Sequence, residues 1–265
     1  MIHQIFLKSL LQRSLINFKA LQMYEKKIRL FYSITTLLFL FSLSAQVSAK
    51  ECVILLHGLA RTEKSLAKIE SFLSDEGYHT VNLGYPSTKH KIEKLAEKAV
   101  QNALSHCQIH EKVHFVTHSL GGILLREYLS RHEIKNLGRV VMLGPPNKGS
   151  QVVDKLKNVP GFELINGPAG MQLGTGKLSI PNKLGPADFE LGIVAGTKSI
   201  NLILSSLLPD MDDGKVSVEN TKLEGMSDHI TLPVTHPLMM NDKEVMNQVI
   251  YFLKNGKFKK KHIVN

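Results

Sequence analysis

The sequence lacks tryptophan entirely, contains only two cysteines among 265 residues, and has 6% aromatic residues. It has no cysteine-rich stretch, no His-x-x-x-His pattern on a predicted helix and no phosphate-cradling glycine loop, so it predicts neither a metal site nor a nucleotide site. No internal repeat or low-complexity tract occurs. A hydrophobic content of 43% with 21% charged residues is ordinary for a globular protein, and the length suits one large domain or two small ones.

The formal net charge is +10, but the charge is unevenly distributed. Residues 1–49 hold six basic residues and one acidic residue, which leaves 27 basic and 22 acidic residues in the rest of the chain. Much of that remaining excess lies in the lysine-rich stretch 254–261. No basic stripe with interleaved aromatic residues is present, so nucleic acid is not predicted as a partner. A transient contact with an anionic membrane surface stays open.

No apolar run near the N-terminus is long enough to be a clear membrane span. Residues 25–29 are mostly basic, residues 30–43 are mostly apolar, and residues 47–49 are small or β-branched. A basic segment, a short apolar segment and a small-residue cleavage site are typical of a secretory signal peptide.

We therefore predict that residues 1–49 are a signal peptide with an N-terminal extension, and that residues 50–265 form the exported domain, which is periplasmic or secreted. The alternative is an uncleaved inner-membrane anchor through residues 30–47. Met23 stands just before the basic segment, so either Met1 or Met23 is the start.

The two cysteines both belong to the predicted exported domain. Cys52 opens the first strong strand, and Cys107 precedes the strand that leads to Ser119. In an oxidising compartment such a pair favours one disulfide, with two buried thiols as the alternative.

Past residue 50, apolar strand-like runs alternate with amphipathic helical patterns. The runs that predict strands are residues 52–56, 79–83, 113–117, 139–143 and 189–195, with short extended pieces at 216–218 and 229–234. The patterns that predict helices are residues 62–76, 92–106, 120–131, 199–208 and 245–253. This alternation predicts an α/β fold with a mostly parallel sheet and helices on both faces. The glycine- and proline-rich residues 145–188 interrupt the pattern and predict a long irregular insertion, which is usually functional.

The most informative segment is residues 113–125, where a strand stops at Ser119 and a helical pattern follows two glycines. A serine at the apex of a strand–turn–helix has a strained backbone, and its hydroxyl projects away from both elements. The pattern departs from G-x-S-x-G because Thr117 replaces the first glycine, but threonine is small and readily ends a strand. The segment indicates a nucleophile for acyl transfer.

A serine nucleophile needs a base, an acid that orients the base, and backbone N–H donors for the oxyanion. His57 and Gly58 follow the first strand, so we predict the N–H groups of Leu59 and Leu120 as the oxyanion donors. The alternative for His57 and Gly58 is a plain turn that ends the strand and has no catalytic role.

For the acid we predict Asp213, because Asp-Gly fixes a tight turn before an extended segment, with Asp212 and Asp210 as alternatives. For the base we predict His236 over His229, because His236 follows the apolar segment and reactive side chains gather beyond the carboxyl ends of strands. The chain order Ser, Asp, His is that of α/β-hydrolases.

Three histidines, at positions 110, 114 and 118, recur every four residues. Ligands about 13 Å apart along a strand do not share one metal ion, so these residues are predicted to be structural.

Together these segments resemble the α/β-hydrolase family, specifically its bacterial lipase and esterase branch, over roughly residues 51–255. The motifs that carry the resemblance are residues 53–59, 118–122, 144–150, 213–217 and His236. The resemblance implies Ser119 as nucleophile, Asp213 as acid and His236 as base. Such a mechanism needs no cofactor, and the sequence predicts no metal site. It also implies a short lid formed by residues 151–188.

The predicted function is that of an exported serine hydrolase which cleaves small-molecule or lipid carboxylic esters through an acyl-enzyme on Ser119. An acyltransferase with the same three residues and a non-catalytic binding protein with a hydrolase fold are the alternatives.

Overall fold

A computed structural model describes residues 22–29, 31, 51–108, 112–200 and 202–260. Residues 22–29 are helical. None of the helices in this part of the chain combines the length and apolar character that crossing a membrane requires. The predicted cleavage site and most of the predicted apolar segment lie outside the described residues.

Six parallel strands form one sheet in the order β2-β1-β3-β4-β5-β6. The strands are β1 (Cys52–Leu56), β2 (His79–Asn82), β3 (Val113–His118), β4 (Leu137–Leu143), β5 (Leu191–Gly196) and β6 (Asp228–Leu232). Leu56 pairs with Thr117, and His118 pairs with Leu143, so the strands end at one common edge. The α/β fold is confirmed, and the described sheet is parallel throughout.

Helices cover both faces of the sheet. The α-helices of the described domain are Ala67–Asp75, Ile92–Leu104, Leu120–Leu129, Gln151–Leu156, Phe162–Met171, Ile180–Lys183, Leu202–Ser205, Val218–Thr221 and Lys243–Asn255. Alternate residues of β1 enter two separate cores: Ile54 packs with the helices that follow β2 and β3, whereas Val53 and Leu55 pack with the helix that follows β1 and with the C-terminal helix. Burial on both faces explains why the strands are continuous apolar runs.

The predicted disulfide between Cys52 and Cys107 is present, and both residues are buried. It ties the start of β1 to the segment after helix Ile92–Leu104. A buried disulfide indicates an oxidising, extracytoplasmic compartment.

The segment predicted to be irregular, residues 145–188, contains three of these helices. Some of its glycines and prolines stand at the starts of helices and at one kink. Gly161 is the N-cap of helix Phe162–Met171 with φ 88°, Gly167 with φ 64° kinks that helix before Pro168, and Pro181 lies in the first turn of helix Ile180–Lys183. The irregular interpretation was therefore wrong for much of this segment.

Smaller differences have local causes. The helix predicted from residue 62 begins as a 3₁₀ turn, Glu63–Leu66, and Thr62 makes no side-chain cap. The helix predicted over residues 199–208 is shorter, Leu202–Ser205. Val218 begins a helical turn where extended structure was predicted, because the Ser217 hydroxyl accepts a hydrogen bond from the Asn220 N–H and caps that turn.

Candidate active site

Ser119 occupies a sharp turn between β3 and helix Leu120–Leu129. Its backbone has φ 52° and ψ −117°, a strained conformation for a residue with a side chain. The Ser119 N–H donates to the carbonyl of Leu143 at 2.9 Å, which fixes the turn against β4. A Cβ added at Gly121 would lie 2.3 Å from the carbonyl oxygen of Leu56. The second glycine of the motif therefore allows the helix to approach β1.

Thr117, the residue that replaces the first glycine, is fully buried in β3. Its position is regular strand, paired with Leu56 and Met142. A Cβ added at Gly122 would lie 3.2 Å from the Thr117 hydroxyl oxygen. The missing glycine is thus accommodated because position 117 belongs to the strand, whereas the close approach occurs at positions 121 and 122.

Asp213 and His236 form a buried pair. The Nδ1 atom of His236 lies 2.7 Å from Oδ2 of Asp213, and the His236 backbone N–H donates to the Asp213 carbonyl at 2.9 Å. The other carboxylate oxygen, Oδ1, accepts hydrogen bonds from the backbone N–H groups of Lys215 and Val216 at 3.0 and 2.9 Å. With Nδ1 donating to the carboxylate, Nε2 of His236 is free to act as a proton acceptor.

The alternative acids and base serve other purposes. Asp212 accepts hydrogen bonds from the Ser205 hydroxyl at 2.5 Å and the Gly214 N–H at 2.6 Å, so it braces the loop that carries Asp213. Asp210 is exposed. His229 lies within β6, and its Nε2 atom is 3.0 Å from the Thr221 hydroxyl. None of Asp210, Asp212 and His229 lines the cavity that contains Ser119.

A cavity of about 260 Å³ brings Ser119, Asp213 and His236 together at the carboxyl edge of the sheet. The loop between β5 and β6 supplies Asp213, and the segment after β6 supplies His236. Many of the apolar side chains that line this cavity come from the insertion and the loop after β5, among them Val152, Val153, Phe162, Leu173, Ile200 and Leu204. The same cavity is therefore lined by the nucleophile candidate Ser119, the base candidate His236 and an apolar wall.

The two predicted oxyanion donors lie beside the nucleophile. Leu59 lines the cavity, and a Cβ added at the preceding Gly58 would lie 3.3 Å from Cβ of Ser119. Leu120 is the first residue of its helix, where backbone N–H groups have no helical partner. Within the described residues, neither the Leu59 nor the Leu120 N–H donates a hydrogen bond, so both are available to an oxyanion.

His57 anchors the loop that carries Leu59. Its ring stacks on Tyr85 with centroids 3.8 Å apart, and its Nε2 atom accepts a hydrogen bond from the Tyr85 N–H at 3.3 Å. The Tyr85 hydroxyl donates to the His57 carbonyl. Burial lowers the pKa of His57, so the ring is a neutral structural group.

His118 belongs to the site, although the sequence predicted only a structural role. Its Nε2–H donates to the backbone carbonyl of His236 at 3.0 Å, and the two rings lie 4.8 Å apart. Burial, with the charge of His236 as a lesser cause, holds the pKa of His118 well below its usual value. The signal available in the sequence was its position directly before Ser119. His110, the first of the three spaced histidines, lies outside the described residues.

Gly144 is a second residue that the site needs. It has φ 55°, and a Cβ there would lie 2.9 Å from Oδ2 of Asp213 and 3.1 Å from Nδ1 of His236. Any side chain would therefore press on the acid–base pair. The signal in the sequence was the Gly-Pro-Pro that closes β4.

No cluster of three or more His, Cys, Asp or Glu side chains suited to a metal ion occurs among the described residues. That the protein needs no cofactor stays a prediction.

A parallel sheet with a strained serine after β3 and an Asp–His pair beyond β5 and β6 defines the α/β-hydrolase fold. The chain has the fold of α/β-hydrolase lipases and esterases. Residues 52–179 match the family model for palmitoyl protein thioesterase, a stretch that contains Ser119 and ends before Asp213. No curated protein matches the sequence.

Solved structures of lipases and esterases share the fold at low sequence identity. Mature lipase BlEst2 of Bacillus licheniformis is 20% identical, with a TM-score of 0.63 over 77% of this chain and 92% of that chain. Lipase B of Aspergillus fumigatus is 15% identical, with a TM-score of 0.58 over 78% of this chain and 53% of that chain. Esterase RhEst1 of Rhodococcus sp. ECU1013 is 16% identical, with a TM-score of 0.53 over 78% of this chain and 92% of that chain.

Proposed function

We propose that this protein is an exported serine hydrolase that cleaves carboxylic esters or thioesters through an acyl-enzyme on Ser119. The observation that carries the proposal is the strained Ser119 in one cavity with His236, whose Nδ1 atom is held 2.7 Å from Asp213. The match of residues 52–179 to the palmitoyl protein thioesterase model and the fold shared with a lipase support the same chemistry.

In the first half-reaction, the Ser119 hydroxyl attacks the carbonyl carbon while its proton passes to Nε2 of His236. The negative charge that develops on the carbonyl oxygen is stabilised by the N–H groups of Leu59 and Leu120. The protonated His236 then gives its proton to the leaving alcohol or thiol, and the acyl group remains on Ser119.

In the second half-reaction, water gives a proton to His236 and attacks the acyl carbon. The bond to Ser119 breaks, the serine oxygen regains the proton, and a carboxylic acid leaves. Asp213 keeps His236 in the required tautomer and stabilises the imidazolium form.

The wall of the cavity favours an apolar acyl chain. Several large apolar residues of the insertion and of the loop after β5 are exposed near it, including Leu164, Ile165 and Ile203, and the exposed Ile200 itself lines the cavity. Such residues are typical of a surface that meets lipid. Residues 151–188 would then act as the lid, with a transient contact to a membrane surface.

A fluorophosphonate probe tests the proposal directly. The wild-type protein should be labelled, Ser119→Ala should not be labelled, and Ser130→Ala, which changes a serine at the end of the same helix, should be labelled like wild type. Asp213→Asn and His236→Gln should lower kcat on a medium-chain ester by about 10⁴-fold. A folded wild-type protein that takes no label, or equal labelling of Ser119→Ala, contradicts the proposal. Ester product on addition of an alcohol would identify an acyltransferase instead.

A further inference from the structure

Two cationic side chains flank the reacting end of the cavity. Arg61 lies two residues beyond Leu59, and Lys215 lies two residues beyond Asp213. Both line the same cavity as Ser119, and both are exposed to solvent. Although 154 positions separate them in the sequence, the fold brings them to one mouth.

The two cations are close enough to interact. Partial burial of its ammonium group lowers the pKa of Lys215, repulsion from Arg61 lowers it further, and Asp213 opposes both effects. The charge of Arg61 also contributes to the lowered pKa of His118, the residue next to Ser119. Arg61 and Lys215 therefore bring positive charge close to His118 and Asp213, which line the same cavity as Ser119.

No acidic side chain among the described residues balances this pair. Neither Arg61 nor Lys215 takes part in a salt bridge within the described part of the chain. Asp213 lines the cavity, but it is 1% exposed and both its oxygens already accept hydrogen bonds. The cavity is thus lined by two positive charges that form no salt bridge within the described part of the chain.

We propose that the substrate carries an anionic group, a phosphate or a carboxylate, on the part that leaves when the acyl chain is transferred to Ser119. This inference rests on the proposed function. The apolar wall of the insertion takes the acyl chain, whereas Arg61 and Lys215 meet the anion of the leaving alcohol or thiol. The leaving group belongs at this end because the loop that holds Lys215 also holds Asp213, the partner of the imidazole that must protonate it.

Three esters with the same acyl chain test this assignment. They are 1-decanoylglycerol, which is neutral, 1-decanoylglycerol 3-phosphate, and the 3-O-decanoyl ester of glycerate, which carries a carboxylate. Each exposed cation should contribute about a two- to fivefold preference, so kcat/KM for an anionic ester should exceed that for the neutral ester by roughly tenfold. The preference should shrink between about 0.01 M and about 1 M salt, because exposed charges are screened.

The variants R61Q and K215Q should each reduce the ratio of anionic to neutral kcat/KM, and the double variant should bring it to about one. K94Q, which removes an exposed charge that does not line the cavity, should keep the wild-type ratio. Whichever anionic ester is preferred identifies phosphate or carboxylate as the group. A wild-type ratio near one, or an unchanged ratio in the double variant, overturns the inference while leaving the hydrolase intact. A folded protein that cleaves none of the esters and takes no fluorophosphonate label overturns both proposals.

Discussion

Replacing Arg126 with methionine tests how the insertion is attached to the core. The guanidinium of Arg126 is buried in the helix that begins after Ser119, and its residue is 4% exposed. It donates to the carbonyl and side-chain oxygens of Asn147, both at 3.1 Å, and to the carbonyls of Pro181, Leu184 and Gly185 at 3.2, 2.9 and 3.1 Å. One side chain thus joins the nucleophile helix, the loop after β4 and the end of the insertion.

The cost of the substitution follows from which acceptors are left without a donor. Asn147 and Pro181 are buried, whereas Leu184 and Gly185 reach solvent. An unsatisfied buried acceptor costs about 1–3 kcal/mol. Burial lowers the pKa of Arg126 to about 10. Removing a buried cation also removes the cost of its desolvation, which offsets part of the lost stability. We therefore expect Arg126→Met to lower the free energy of unfolding by about 3 kcal/mol.

Urea unfolding followed by circular dichroism measures this change, with the slope m checked for constancy. Arg126→Lys should lose less, because an ammonium group still donates to some of the same carbonyls. Arg131→Met is the matched control: its side chain is 43% exposed and pairs with Glu127 at 3.1 Å, which is worth less than about 1 kcal/mol. A loss below about 1 kcal/mol for Arg126→Met would refute the reasoning.

Two further predictions concern stability. Removing the disulfide with Cys52→Ala and Cys107→Ala should cost about 4 kcal/mol, because the bridge closes a loop of 55 residues in the unfolded chain, and the urea midpoint of the oxidised wild type is the comparison. Below pH 6.5 the melting temperature should fall, because burial lowers the pKa of His57 and His118 in the folded state, so the unfolded chain binds more protons. The stability that these two neutral rings contribute is present above pH 6.5 and is lost by up to about 1.4 kcal/mol per ring and pH unit as the pH falls toward their folded pKa values. A melting temperature equal at pH 8 and pH 5 contradicts the second prediction.

The sheet could be predicted because its strands are buried on both faces. All residues of β1 and β3 are buried, and such strands appear in a sequence as unbroken apolar runs bounded by turns. The disulfide followed from the same pattern, since adjacent parallel strands place Cys52 and the segment before β3 at one end of the sheet. Local sequence patterns were sufficient here because each buried strand is recognisable from its own apolar run.

The helices of the insertion could not be predicted, because glycine and proline can either interrupt a helix or mark its start. Inside a helix they break it, but at the first turn or the cap they begin it. Gly161 and Pro181 occupy such starting positions, which their residue types alone do not reveal. The number of short helices in residues 145–188 depends on contacts that the local sequence does not contain.

The three candidate catalytic residues were placed by strand ends and chain order, and the cavity brings the three together. Their supporting contacts were not predictable in the same way. The hydrogen bond from His118 to His236 joins residues 118 positions apart, and the cations at positions 61 and 215 become neighbours only through the sheet order. The position of a side chain in one motif does not show which residue of a distant motif it contacts in the folded protein.

His118 shows why its environment matters to the proposed reaction. Ser119 must give its proton to His236, which then carries a positive charge. A charged His118 with its ring 4.8 Å from that imidazole would oppose this step, whereas burial keeps His118 neutral. The hydrogen bond from its Nε2–H to the His236 carbonyl also links the residue before the nucleophile to the backbone of the base. The spacing of the three histidines indicated only a structural role for this side chain. In the fold it helps to position the nucleophile and the base relative to each other, and it adds no charge to the site.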